Sequence, residues 1–346
     1  MKVKYNEILY FVKKILKKLN CDNFTINSVA EGICTASLRG VDSHGINLLP
    51  HYVESIIHKR KNNSPKYILK KKYSSSLLLD ADNAFGIAAG KKALNYAVEV
   101  ANKNGICCVG VKNSSHPGCL ASIMIPLAKK NFIGIAFAQA DSLMLSTNSN
   151  RAYFGTNPIC FVAPRLEKNP FCVDLSTTTI TWNKLLNFKN ANKKLGRYLA
   201  ADKNGKMTIN PNIAKYLLPM GGHKGFSLAS IVDVLSGVLT GMNFGKDISR
   251  MYADRIQKKR KLGQFYIIIK PDIFLKKNIF LERMQLMTNQ IRKEPSIKNK
   301  KVLCPNDPEI INEKKRRKYG IPIEKNLYKK ILNLSEKFNL KLKTIN

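Results

Sequence analysis

Two of the five histidines in this 346-residue chain sit in turns built alike: Ser43-His44-Gly45 and Ser115-His116-Pro117-Gly118. Small, turn-forming neighbours leave an imidazole sterically open to a ligand, and histidine changes charge near neutrality, so the pattern suits proton transfer to or from a bound molecule. Taken singly, a histidine in Arg39-Gly40-Val41-Asp42-Ser43-His44-Gly45 reads as a surface or capping group; the second copy of the pattern favours acid/base chemistry. His116 also follows an apolar run at 106–111 that reads as a strand, and loops after the carboxyl ends of strands are where α/β proteins place ligands. His51 and His58 fall on a helix and read as solvated.

Two further segments suit an anionic ligand. Gly155-Thr156-Asn157-Pro158 leads into a strand that passes Asp174-Leu175-Ser176-Thr177-Thr178. Leu218-Pro219-Met220-Gly221-Gly222-His223-Lys224-Gly225 is a glycine-rich turn opening a helix, where free backbone amides beside a lysine can cradle a pyrophosphate. A plain helix-capping turn explains the same glycines equally well. The eight cysteines are scattered without a CxxC pair and lie largely in apolar runs, so they read as reduced core residues, and no metal site is expected.

The elements that carry these turns follow from periodicity. Ile8, Phe11, Val12, Ile15 and Leu19 recur at helical spacing between lysines, which predicts an amphipathic first helix. Ser28 with Glu31 has the form of a capping box for a second helix, which Gly40 is placed to end. A third carries Leu49, Tyr52, Val53, Ile56 and Ile57 on one face, so the first seventy or so residues read as helical. From Ser76 strands at 77–79, 106–111 and 133–139 alternate with helices at 90–102 and 120–129. That order suggests a dinucleotide fold, yet the chain contains no GxGxxG, which disfavours an ordinary Rossmann domain. The Lys/Asn-rich stretch 185–211 reads as loops or a small excursion. A buried helix is expected after Gly225, with Leu228, Ile231, Val232, Leu235 and Leu239 in register. Met284, Met287 and Ile291 repeat at helical spacing, and 324–340 closes as a basic amphipathic helix.

The length allows two or three domains, and 44% apolar residues fit a folded protein. No run of 18 uncharged apolar residues occurs and the first twenty residues mix lysine into their apolar positions, so neither a membrane span nor a signal peptide is expected, and the location reads as cytoplasmic. The formal charge of +36 raises nucleic acid as a partner, but the lysines are diffuse and no stacking aromatics interleave with them; attraction of an anionic cofactor or substrate is the milder consequence.

In this order and spacing, LRGVDSHG, NSSH, FGTNP, VDLST and PMGGHKG resemble the malate/L-lactate dehydrogenase type 2 family, which includes L-sulfolactate and ureidoglycolate dehydrogenases and diketogulonate reductase. The match runs from the first helix to Tyr319-Gly320-Ile321-Pro322. The resemblance implies an α+β fold: a helical domain from both chain ends (1–72 with 290–346), and a central α/β domain (73–289) whose largely antiparallel, non-Rossmann sheet binds the dinucleotide. It implies NADH or NADPH as cofactor, a small-molecule ketone or alcohol as substrate, and a homodimer. By resemblance, His44 is the proton donor to the carbonyl oxygen, Asp174 a partner that orients or charges it, and His116 a second acid/base or substrate contact. Ser43, Leu48 and Tyr52 fall at substrate positions. Thr156, Asn157, Asp174, Leu175, Ser176, His223, Lys224, Gly225, Pro305 and Asn306 fall at cofactor positions.

The chain departs from the family pattern at several places. Leu48 stands where most members have an arginine that pairs with a substrate carboxylate, so an apolar pocket wall is expected there, with Arg39, Lys112 or Arg151 as other sources of a cation. Asn148-Ser149 replace two glycines, Pro117 an aromatic residue, Pro305-Asn306-Asp307 a PGE and Gln139-Ala140 an Asn-Ser pair. A second reading is a non-catalytic relative kept for binding, motivated by these losses and opposed by His44, His116, Asp174 and Lys224. A third is a basic nucleic-acid-binding protein, supported by charge alone.

Overall fold

The structure, a computed structural model, describes residues 1–345, and every side chain within them but that of Asn299. A short strand β1 (Lys2–Val3) and three helices, α1 (Tyr5–Lys18), α2 (Asn23–Leu38) and α3 (Leu49–Ile57), open the chain. The predicted face of α1 buries Ile8, Phe11, Val12 and Ile15. The capping-box reading of α2 is corrected. Asp22 caps it, accepting the Thr25 N–H at 2.9 Å and the Thr25 hydroxyl at 2.6 Å, while Ser28 lies buried in mid-helix. The apolar face already starts at Ile26, so the helix begins before Ser28. Gly40 ends it at φ +90°, as expected.

Strands β2 (Ile68–Tyr73) and β3 (Ser76–Asp80) form a hairpin, correcting the expectation that the first seventy residues are helical throughout. All six β2 residues are exposed, so this edge strand has neither alternation nor a buried face for periodicity to reveal. Helix α4 (Gly86–Asn104) crosses from β3 to β4 (Ile106–Ser114), followed by α5 (Ala121–Lys129), β5 (Ile133–Ala138), β6 (Met144–Leu145), β7 (Ala152–Phe154), β8 (Ile159–Ala163) and β9 (Phe171–Leu175).

The stretch expected to be loops or a small excursion is the second of these, a small layer of its own. Strands β10 (Ala200–Ala201), β11 (Met207–Thr208) and β12 (Tyr216–Leu217) join β6 and β7 in a five-stranded sheet, and helix α6 (Trp182–Asn190) adds Leu185 to a small core with Ile180, Leu195, Ala200 and Leu217.

Helix α7 (His223–Asp233) runs into a π-turn at Val234–Val238. The fully buried stripe expected here is not found: Val232 is buried and Leu228 and Leu235 are half-buried, but Ile231 already faces outward on α7, and beyond Asp233 the π-turn shifts the register so that Ser236 and Gly237 turn inward while Val234, Val238 and Leu239 are exposed. Strand β13 (Leu262–Ile269) then returns to the middle of the large sheet, and α8 (Lys277–Lys293), α9 (Asp307–Tyr319), β14 (Ile321–Pro322) and α10 (Lys325–Phe338) complete the chain. On α8, Leu281 and Thr288 are the buried positions and Met287 is exposed.

The large sheet has the order β2-β3-β4-β13-β5-β8-β9, and β3 with β4 is its parallel pair; the other neighbours are antiparallel. The fold is mixed α/β. From the C-terminal part, β14 pairs with β1, α9 packs on α2 and α10 on α3, so late residues buttress the first turns of the chain. All eight cysteines are free, seven of them buried. No described helix is long and apolar enough to cross a membrane.

Candidate active site

Contacts from three directions fix the His44 turn. Its Asp42 carboxylate grips Arg316 of α9 at 2.5 and 2.8 Å. The Ser37 hydroxyl accepts the Ile46 N–H at 2.8 Å, and a Cβ on Gly45 would lie 2.1 Å from that same oxygen, so the close approach requires glycine. Asn183 of α6 donates to the Ser43 carbonyl at 2.6 Å. Ser43 Oγ then meets His44 Nδ1 at 2.8 Å.

His116 leaves the end of β4, where Gln264 of β13 donates to Ser114 Oγ at 2.7 Å and Ser115 Oγ donates to the Ala84 carbonyl at 2.9 Å. The two imidazoles stack, with centroids 5.4 Å apart and planes 25° from parallel. The hydroxyl of fully buried Tyr52 lies 3.5 Å from His116 Nδ1. Both rings open onto a cavity of about 440 Å³. The surrounding protein withdraws them from water, which lowers the His44 pKa from 6.5 to about 4. His116 is pushed well below its ordinary value by burial, then by His44 and the cations Arg260 and Lys61. Both rings are therefore neutral near pH 7.

The cavity is cationic. Arg151, Lys215, Lys246 and Arg250 line it, and among the described residues none of them has a carboxylate partner; Asp141, the acid on its wall, is committed to Arg260 and accepts the Met251 N–H at 3.2 Å. Trp182, Asn183 and Tyr252 complete the wall. Of the three alternative cations named from sequence, Arg151 lines the cavity, whereas Arg39 is buried against Glu313 and Asn306, and Lys112 pairs with Asp80.

Leu48 is 1% exposed and does not line the cavity; the expected apolar wall is corrected, because the short turn Ile46–Leu48 before α3 directs Leu48 into the main core. His51 is corrected too: it packs edge-on against Tyr252 at 5.2 Å, and burial with Lys61, Arg60 and Arg260 nearby lowers its pKa to about 3. Asp174 forms no hydrogen bond with either histidine among the described residues. Its carboxylate accepts the Ala121 N–H at 2.8 Å and lies 3.3 Å from the Cys119 thiol, and the residue is exposed at the end of β9.

Backbone hydrogen bonds through Thr177 link Thr156 to the turn before α7 in a strip that passes several of the cofactor candidates. Thr156, on the cavity wall, accepts the Thr177 N–H at 3.0 Å, and the Thr177 carbonyl accepts the Met220 N–H at 2.9 Å. Gly225 seats α7 on this strip: a Cβ there would lie 2.3 Å from the Met220 carbonyl. Leu175 and Ser176 are half-buried along it, and Ser176 bonds to the Thr178 carbonyl at 2.9 Å. At its end α7 starts behind Gly221 and Gly222, both at positive φ with open space where a Cβ would be, and His223 and Lys224 are exposed. Asn157 is instead a buried strut, accepting the Ala140 N–H at 3.0 Å and donating to the Ala229 carbonyl at 2.9 Å. Asn306 is likewise buried, between Arg39 and the Pro170 carbonyl, with Pro305 half-buried beside it.

The malate/L-lactate dehydrogenase family model matches residues 3–332. The chain belongs to that family. Ureidoglycolate dehydrogenase (NAD(+)) of Escherichia coli K12 is 33% identical over 307 residues, 88% of each chain. Malate/(S)-sulfolactate dehydrogenase of Methanothermus fervidus is 32% identical, over 95% of this chain and 96% of that one. Among solved structures, malate dehydrogenase from Entamoeba histolytica matches with a TM-score of 0.93 at 27% identity over 99% of both chains. Sulfolactate dehydrogenase from Methanocaldococcus jannaschii matches at 0.91 and 26% identity, over 99% of this chain and 98% of that one.

Sequence reasoning missed Trp182, Asn183, Lys246, Arg250 and Tyr252. Trp182 carried a signal, being the chain's one tryptophan beside a Lys/Asn-rich stretch. The cations carried none in a chain with 59 lysines and arginines.

Proposed function

We infer that this protein transfers a hydride between a nicotinamide dinucleotide and the carbinol or carbonyl carbon of a 2-hydroxy or 2-oxo acid. The observation that carries the reading is the stacked, neutral His44–His116 pair on a cavity ringed by Arg151, Lys215, Lys246 and Arg250. The nicotinamide, when bound, accepts or supplies the hydride. As the carbinol is oxidised its hydroxyl proton must leave, and a neutral imidazole is the base for it. His44 is that base, with Nδ1 tied to Ser43 and Nε2 left for the substrate. His116 is the second acid/base group, held by Tyr52. In the reductive direction the pair must first take up a proton, which an anionic substrate beside it favours. Arg250, with Arg151, binds the substrate carboxylate in place of the arginine that Leu48 replaces. Leu48 packs behind the His44 turn.

A nicotinamide dinucleotide fits the residues of the strip. Thr156 and Asp174 to Ser176 face its nicotinamide half, and Lys224 with the amides of His223 and Gly225 at the start of α7 holds its phosphates. Pro305 lies at its rim, and Asn157 and Asn306 hold the surrounding segments in place. The name of the ureidoglycolate dehydrogenase specifies NAD(+), which favours NADH over NADPH as the first cofactor to assay.

The sheet's antiparallel pairings and the absence of GxGxxG support a dinucleotide site of non-Rossmann type. The β1–β14 pair supports a helical unit of 1–72 with 290–346 around a central unit of 73–289. Exposed Ile231, Val234, Val238 and Leu239 support a homodimer, since contiguous apolar surface is seldom left in water. Eight free cysteines suit a reducing cytoplasm. The test is a panel of 2-hydroxy acids (malate, lactate, sulfolactate, ureidoglycolate) with NAD+ or NADP+, followed by reduced-nicotinamide absorbance. Turnover of at least one acid is expected, and none with either cofactor contradicts the reading.

A further inference from the structure

A second, much smaller cavity of about 10 Å³ shares His116 and Met251 with the large one and has room for a single monatomic body. Three cations line it, Arg60, Lys61 and Arg260, and no carboxylate does among the described residues. Arg60 and Arg260 are 2% and 4% exposed and Lys61 5%. Arg60 spends its guanidinium on neutral acceptors, the carbonyls of Lys258 at 2.8 Å and of Met251 and Arg250 at 2.9 Å. Asp141, paired with Arg260, is the carboxylate at hand, which leaves positive charge in excess. Lys61 Nζ sits 3.8 Å from the centroid of Tyr52 and 4.4 Å from that of Phe85, contacts that ease a cation but accept no conventional hydrogen bond. Lys61 Nζ and Arg260 Nη1 are both buried without a protein acceptor among the described residues. Two residues that line this space thus carry buried donors without acceptors, and the cations around it outnumber the carboxylates, a combination that suits an anion.

We propose that this cavity binds one monatomic anion of the halide class between Lys61 and Arg260. Its size excludes phosphate and carboxylates, and a water would satisfy donors without cancelling charge. The anion reaches it through the active cavity, since His116 and Met251 line both. Binding has two electrostatic consequences. Burial with Arg260 and Arg60 beside it holds the Lys61 pKa well down, so an anion there draws a proton onto Lys61. The same charge beside His116 raises its proton affinity. The groups that set this balance are His51 and Tyr52 from α3, Arg60 and Lys61 after it, His44 stacked on His116, Arg260 before β13 with Asp141 behind it, and Tyr252 against His51.

The site is read without turnover, so its failure is distinct from that of the proposed reaction. Crystals of the full chain soaked in sodium bromide are measured at the bromine absorption edge, for wild type and Lys61→Met. The variant replaces a buried, unpartnered amine with an apolar side chain of similar length and is expected to fold. An anomalous peak between Lys61 and Arg260 in wild type, lost in the variant, supports the site. In solution, the unfolding midpoint of wild type is expected to rise with bromide over gluconate at matched ionic strength, and this difference to vanish in Lys61→Met. Absence of a wild-type peak, a peak that the variant keeps, or equal midpoints in the two salts overturns the proposal.

Discussion

A neutral imidazole accepts a proton readily and gives one up only weakly, so His44 and His116, both held neutral by burial, can take the hydroxyl proton of an alcohol, whereas the reverse reaction first requires their protonation. The acid limb of kcat/KM for the 2-hydroxy acid is therefore expected nearer 4 than 6.5, because His44 stays unprotonated down to that region. A limb near 6.5 would mean that the reacting base is solvated. His44→Ala is expected to lower kcat by roughly 10²- to 10⁴-fold with an unchanged unfolding midpoint, the usual contribution of a positioned acid/base group. Arg250→Leu is expected to raise KM for a hydroxy acid by about 10- to 100-fold, the loss of a charge-assisted bond worth about 1.5–3 kcal/mol, while Leu48→Arg is expected to destabilise the fold, by burying an unpaired charge, rather than improve KM. Steady-state kinetics with parallel thermal melts separates these outcomes. The histidine turns were legible because small flanking residues are informative wherever they occur. Leu48 was not, since a four-residue spacing from Tyr52 says that two side chains share a face but not whether that face meets a cavity or the core.

Around the π-turn, one packing contact holds strand and helix in place. A Cβ on Gly263 of β13 would lie 1.6 Å from the Ser236 carbonyl, so β13 and the π-turn touch backbone to backbone. Gln139 bridges the same junction, accepting the Gly263 N–H at 2.7 Å and donating to the Asn243 carbonyl at 2.8 Å. Gly263→Ala must push the turn away and is expected to cost about 2 kcal/mol or more, seen as a lower denaturation midpoint with α7 loosened. Periodicity found α1, α4, β3, β4, β5 and α10 because each buries one face, and α5 because it is an apolar run buried nearly all round. It could not find β2, whose residues are all exposed, or the π-turn, which shifts register where the sequence continues its apolar repeat. Ser28 and Glu31 had the spacing of a cap but lay inside a longer apolar face, and the true cap, Asp22, came earlier.

Over the whole molecule, the charge of +36 places the cationic cavity in a generally positive surface, which draws anionic cofactor and substrate toward it. The exposed apolar patch after α7 is a separate matter of assembly: Val234→Lys is expected to convert a dimer to a monomer in light scattering, and a wild-type monomer would remove the patch as an interface. Class and family were legible from motifs spread over the chain, whereas the five-stranded layer was not, because its strands are two or three residues long and carry little pattern. The central claim is hydride transfer, and isotope tracing reaches it directly. The full chain is incubated with a 2-hydroxy acid deuterated at C2 and with oxidised nicotinamide dinucleotide, and the reduced cofactor is examined by mass spectrometry. One deuterium on the nicotinamide ring is expected in wild type, with formation of the labelled cofactor slowed sharply in His44→Ala. An unlabelled reduced cofactor, or deuterium released to solvent, would contradict it.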